Sequence, residues 1–245
     1  MSLIYVFAAS PMEGQPVRKL MTPSESGSPS RCGPNEVVLV ISGMGPRNAS
    51  RTSKDALRKA AGASPASKPD AVLVIGICGG LTASLEEGRI VTYSECRSTD
   101  ASAPVLAGSD RILDAIVDRL ESSAVPCERV LGLTSARIAT TRRERLALAD
   151  SGARVVDMES YPIIEAASTA GVPAAVLRVV ADSLDRELPD FNRALDDAGG
   201  LDGRKALKVA LGSPVRTARL LAANRRAMQH LTRALEVILK SPCFA

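Results

Sequence analysis

Short runs of Val, Ile, Leu and Ala recur along the chain at residues 3–9, 37–42, 71–77, 89–94, 129–133, 155–157 and 174–180. Apolar runs of this length, bounded by Gly, Pro, Ser or Asp, are what strands buried on both faces look like. Between them, residues 47–61, 109–122, 142–150, 161–170 and 214–240 carry helical patterns. Strands alternating with helices predict an α/β fold, a three-layer α/β/α sandwich around a mixed, largely parallel sheet. Residues 22–35 and 62–69 are rich in Ser, Pro and Gly and are expected to be surface loops. From about residue 188 the character changes. A loop with helical fragments leads into the long Arg-rich helix, so 188–245 reads as a helical C-terminal extension. Nothing in its composition calls for a separate core, and 1–245 reads as one domain.

Composition narrows the function classes. The 245 residues are 45% apolar and 24% charged, a globular balance. No apolar run approaches the roughly 20 residues of a membrane span. Lys plus Arg is 31 against 27 for Asp plus Glu, and there are no Trp, three Tyr and three Phe. That modest charge and scarcity of stacking side chains argue against a nucleic-acid partner. The five cysteines are odd in number and lack C-x-x-C spacing, so they read as reduced thiols rather than a disulfide frame or metal site. The single histidine, His230, lies in a basic helical stretch, away from the other members of a Ser-His-Asp triad or a metal cluster. The N-terminal apolar stretch lacks a basic n-region, so it reads as a first buried strand and the chain as cytoplasmic.

In α/β sheets, ligands gather beyond the carboxyl ends of the strands. There the sequence places Ser10-Pro11-Met12-Glu13, Gly43-Met44-Gly45-Pro46-Arg47-Asn48, Cys78-Gly79-Gly80-Leu81, Met158-Glu159-Ser160 and Ala181-Asp182-Ser183. Each has an ordinary explanation. The glycines allow a tight turn into a helix. Glu159 suits the positive end of a helix, and Asp182 with Asp185 resembles an N-cap pair. The Gly-x-Gly turn is neither a dinucleotide fingerprint nor a Walker loop, so no cofactor is expected. Two glycine turns and three acids at one sheet edge nevertheless point to a pocket.

These residues resemble the nucleoside phosphorylase/nucleosidase superfamily over about residues 3–188. Val156-Asp157-Met158-Glu159-Ser160 resembles its ribose-binding Met-Glu motif, and Arg178-Val179-Val180-Ala181-Asp182 its Arg-x-x-Ser-Asp motif. The stretch from Val74 to Leu81 resembles its Gly-x-Ala-Gly-Gly-Leu strand end, and Gly43-Met44-Gly45 its second glycine turn. Within the superfamily the chain is most similar to methylthioadenosine/adenosylhomocysteine nucleosidases and to hopanoid-associated phosphorylase-like proteins, which remove adenine from an adenosylated hopane lipid.

The resemblance implies cleavage of a purine nucleoside, with adenine preferred. Asp182 would be the general acid at the purine N7 and Glu159 the acceptor for the ribose hydroxyls. Met158 would lie against the sugar. Glu13 would position the attacking water, with Gln15 as the alternative register. Ile138, Ala139 and Arg178 would form the base pocket, Ile138 standing where relatives place a Phe and backbone groups of its segment reading the purine edge. Gly43, Gly45, Arg47, Cys78 and Gly79 would form the nucleophile or phosphate side. Val74 stands where phosphorylases carry an arginine, which favours hydrolysis. Arg47 keeps phosphate as a partner, and phosphorolysis, open. A non-catalytic nucleoside-binding protein is a further alternative. The resemblance also implies a homo-oligomer, a dimer. The helix 214–240 is expected to pack on the domain through one apolar stripe, with peripheral contact to an anionic membrane as the alternative.

Overall fold

The computed structural model describes residues 1–22, 29–63, 67–196 and 200–244. Its strands are β1 (Leu3–Ala8), β2 (Ser30–Cys32), β3 (Asn35–Ile41), β4 (Ala71–Gly80), β5 (Ile90–Ser98), β6 (Leu106–Ala107), β7 (Cys127–Thr134), β8 (Val155–Asp157) and β9 (Ala174–Asp182). Its helices are α1 (Pro11–Leu20), α2 (Pro46–Ala63), α3 (Asp110–Ser122), α4 (Arg142–Ala149), α5 (Ser160–Thr169), α6 (Gly203–Gly212) and α7 (Pro214–Leu239), with a 3-10 turn at Phe191–Ala194. The sheet runs β2-β3-β1-β4-β8-β7-β5-β6. β9 lies between β4, with which it is parallel, and β5, with which it is antiparallel. β8 and β7 join the same two strands by another route, so β4, β8, β7, β5 and β9 close into a ring.

The two-residue period of the strands sorts side chains onto two cores. Ile4, Val6 and Ala8 of β1, Leu73 and Ile75 of β4, and Leu177 and Val179 of β9 pack with Val17 of α1, Ile112 and Ile116 of α3, and Leu231, Leu235 and Ile238 of α7. Phe7, Val72, Val74, Val176 and Val180 pack on the opposite face with Ala49 and Leu57 of α2 and Ile163 and Ile164 of α5. Each of the Val, Leu, Ile and Phe side chains contributes about 1.5–3 kcal/mol by leaving water. Helices thus cover both faces of a mixed sheet. On β9 the second face reads Val176, Arg178, Val180, which puts one guanidinium into an otherwise apolar row.

Several local expectations change. α1 forms despite Gly14 and Pro16, because Ser10 caps it and Pro11 opens it. A Cβ on Gly14 would sit 2.8 Å from Ile41 Cδ1, so the glycine lets the helix lie close on β3. Within the expected loop 22–35, Ser30–Cys32 is a strand. It pairs antiparallel with β3 through a two-residue turn in which Gly33 has φ +57°. Residues 23–28 of that loop, and 64–66 of the loop expected at 62–69, lie outside the described residues. Asp182 ends β9 and caps no helix. The apolar positions of α7 fall on two faces rather than one stripe. Ala223, Ala227, Leu231, Ala234, Leu235, Ile238 and Leu239 are buried, whereas Val215 and Leu221 are each 62% exposed.

Candidate active site

Arg178 organises one half of the site. Its guanidinium lies 3.5 Å from Asp157 Oδ2, 3.5 Å from Glu159 Oε2 and 3.9 Å from Glu13 Oε1. It donates to Ser160 Oγ from Nη2 at 3.0 Å, and to the Ile75 and Ile77 carbonyls at 3.4 Å each. All four charged side chains are buried. Gly76, at φ +146°, makes this arrangement sterically possible, since a Cβ there would lie 2.4 Å from both Arg178 Nη1 and Glu13 Oε1. One guanidinium facing three buried carboxylates leaves negative charge uncompensated. Burial pushes Glu13 up, against the pull of Arg178. Glu159 is pushed up to about 7, chiefly by burial, with Arg178 opposing and the Asp157 and Glu13 carboxylates reinforcing.

Backbone amides aim these carboxylates. Glu13 Oε1 accepts the Ile77 N–H at 3.0 Å, and Ser10 Oγ donates to Oε2 at 3.3 Å; Gln15 is exposed. Glu159 Oε1 accepts the Gly45 N–H at 2.9 Å. Gly43 and Gly45, at φ +81° and +83°, supply the turn that presents that amide. Behind them, Asp157 accepts the Glu159 and Ser160 N–H groups at 3.0 Å each, the Thr134 hydroxyl at 2.9 Å and the Tyr93 hydroxyl at 2.9 Å. Met158 is buried at the same strand end.

Asp182 forms the other half, opposite Gly79 of β4. A Cβ on Gly79 would stand 3.0 Å from Asp182 Oδ2, so the glycine keeps that oxygen open. The fully buried Arg145 of α4 brings Nη2 to 2.5 Å from Oδ2. The approach is off-axis: among the described residues, neither Asp182 Oδ2 nor Arg145 Nε has an aligned hydrogen-bond partner. Arg145 Nη1 is committed to the Ser183 and Asp182 carbonyls at 2.7 and 3.3 Å. Burial pushes the Asp182 carboxyl up, and Arg145 pulls it back. A buried acid whose proton affinity is raised by its setting is equipped to present a proton to a ligand.

The remaining candidates are distributed differently. Ile138 is half-buried, and both its polar backbone groups are taken by Asn192: N–H to Oδ1 at 2.9 Å and Nδ2 to carbonyl at 2.8 Å. The Ile138 N–H is therefore committed within the chain, and Ala139 beside it is buried. Arg178, expected in the base pocket, reaches Glu13, Asp157 and Glu159 instead. Arg47 is exposed at the second residue of α2. Cys78 is buried, with its thiol pushed well up, chiefly by burial. Val74 packs in the second apolar core. Sequence reasoning missed Arg145 and Asn192, and it gave Asp157, Tyr93, Thr134 and Ser160 no role.

The family model of the phosphorylase superfamily matches residues 27–199. Solved structures share the fold over nearly the whole chain. The 5'-methylthioadenosine/S-adenosylhomocysteine nucleosidase of Neisseria meningitidis, in complex with methylthio-immucillin-A, is 17% identical. The match covers 98% of this chain and 99% of that one, with a TM-score of 0.74. Native futalosine hydrolase of Helicobacter pylori is 15% identical, covering 96% of each chain at a TM-score of 0.72. The S-adenosylhomocysteine nucleosidase of Streptococcus pyogenes, in complex with 5-methylthiotubericidin, is 18% identical, covering 97% of each at 0.70.

Proposed function

The chain belongs to the phosphorylase superfamily, and from that premise we propose that it hydrolyses the N-glycosidic bond of a purine nucleoside. The observation that carries this reading is the pair of buried acid settings at one sheet edge: Glu13 and Glu159 around Arg178, and Asp182 against Arg145. Asp182, in its acid form, gives its proton to N7 of the purine as the bond between C1′ and N9 breaks and its electron pair leaves with the base. A water oxygen bonds to C1′, and Glu13 takes the proton that water loses. Glu159 accepts hydrogen bonds from the ribose hydroxyls, and its negative charge favours the cationic sugar of the transition state. Met158 lies along the sugar.

Water rather than phosphate is favoured because the nucleophile side holds the buried carboxylate of Glu13, while Val74 is sealed among apolar side chains. Adenine is the preferred base, and an adenosyl group linked at its 5′ position, as in adenosylhopane, is the finer substrate proposal. The test is incubation with adenosine, methylthioadenosine, adenosylhomocysteine and a lipid-linked adenosyl nucleoside, with and without phosphate. Free base and free sugar in phosphate-free buffer are expected. A sugar 1-phosphate formed only with phosphate would replace hydrolysis by phosphorolysis, and no base release from any nucleoside would leave a binding protein.

A further inference from the structure

α6 and the first half of α7 present a face that nothing among the described residues covers. No residue of α6 is buried, and Leu207 and Leu211, one turn apart, are 60% and 70% exposed. Beyond the Ser213-Pro214 break, α7 leaves Val215 and Leu221 each 62% exposed, with Ala218 and Ala222 exposed beside them. Residues 203–226 contain Arg204, Lys205, Lys208, Arg216, Arg219, Arg225 and Arg226 and not one acid. The whole chain carries only +4, so the remainder is net acidic and the positive charge is gathered here. Arg216 and Arg226 pair with Glu187 and Glu87. Arg219 and Arg225 form no ion pair among the described residues, so their charge is available to a partner.

We propose that this face docks the protein on an anionic lipid surface. Leucines standing out between basic residues are what an interfacial helix needs: the apolar side chains enter the acyl boundary while the cations meet phosphate headgroups. A second copy of the chain fits poorly, because a two-fold contact would set the same seven cations against themselves. A nucleic acid gives the exposed leucines nothing to do. A groove of about 670 Å³ runs between this face and the loop that follows Asp182, lined by Asp185, Arg186 and Glu187 on one side and Arg216, Arg219 and Arg226 on the other. No described helix is long and apolar enough to cross a membrane, so the contact is peripheral.

The test reads binding alone and does not depend on the proposed hydrolysis. Intact protein is sedimented with phosphatidylcholine vesicles with and without phosphatidylglycerol, at low and high salt. It should pellet only with the anionic vesicles at low salt. The double variant Leu207→Gln/Leu211→Gln should partition at least tenfold more weakly. Lys208→Glu/Arg219→Glu should lose roughly fivefold or more per reversed charge. Both variants should retain the wild-type melting temperature. No pelleting of the intact protein, equal pelleting of the variants, or binding indifferent to lipid charge would overturn the proposal. So would a dimer by light scattering that Leu207→Gln/Leu211→Gln converts to monomer, or salt-sensitive binding to duplex DNA without vesicle binding.

Discussion

Replacing Glu159 by Gln should make the protein more stable at alkaline pH, by an amount the buried site determines. The carboxyl is carried from its ordinary value of 4.5 to about 7, mainly by burial. At 1.36 kcal/mol per pH unit that corresponds to about 3 kcal/mol. The folded form binds the proton more tightly than the unfolded chain. The associated stabilisation is therefore complete below pH 4.5 and is lost as pH rises through about 7. Gln keeps an acceptor for the Gly45 N–H and cannot ionise. Its amide beside Arg178 adds a cost that does not vary with pH. The difference between the two proteins should thus be flat near pH 4–5 and should grow in favour of Gln up to about pH 9, reaching about 3 kcal/mol. At 2–4 °C per kcal/mol for a chain of this size, that is roughly 6–12 °C in melting temperature. Thermal unfolding followed by circular dichroism across pH 4.5–9 measures it. Parallel curves for the two proteins would refute the claim that Glu159 is held proton-loving by burial. The same variant should bind ribonucleosides far more weakly while its affinity for 2′- and 3′-deoxy analogues changes little.

Asp182→Asn should lower turnover by about 10²–10⁴ with the fold intact, the range for losing a general acid; a folded, fully active Asn variant would remove Asp182 from the chemistry. Arg145 holds the Asp182 proton affinity down, so Arg145→Met should move the alkaline limb of the kcat profile to higher pH, while leaving one member of a buried pair alone costs about 3–5 kcal/mol. An unmoved limb in a folded Met variant would mean that Arg145 serves packing only. Gly76→Ala should abolish activity and lower stability by several kcal/mol, since its Cβ would lie 2.4 Å from both Arg178 and Glu13. A melting temperature within two degrees of wild type would show that the Arg178–Glu13 contact is not as close as 3.9 Å.

What was legible before the structure follows from how far each interaction reaches along the chain. β1, β4 and β9 announce themselves because both faces of each strand are apolar, and the acids just beyond their ends, or beyond β8, are then placed by topology alone. α1 was hidden because local propensity counts Gly14 and Pro16 against it, whereas its stability comes from burying Val17 in the first core. Arg145 stands beside Arg142 and Arg143 in α4, and nothing local separates the one that is buried from the two that are exposed. Its partners come from the ends of β4 and β9, 37–65 residues away. Asn192 reaches Ile138 across 54 residues, and the closure of the ring through β9 and β5 is equally non-local. Arg178 lies between these cases. Its place in the apolar row between Val176 and Val180 already requires anions on the side facing α2 and α5, because an unpaired buried guanidinium would be too costly. Asp157 and Glu159, which flank the β8–α5 junction, and Glu13, in the first turn of α1, are the acids that answer that demand. The charge that looks out of place in the strand is thus the one around which three buried carboxylates assemble.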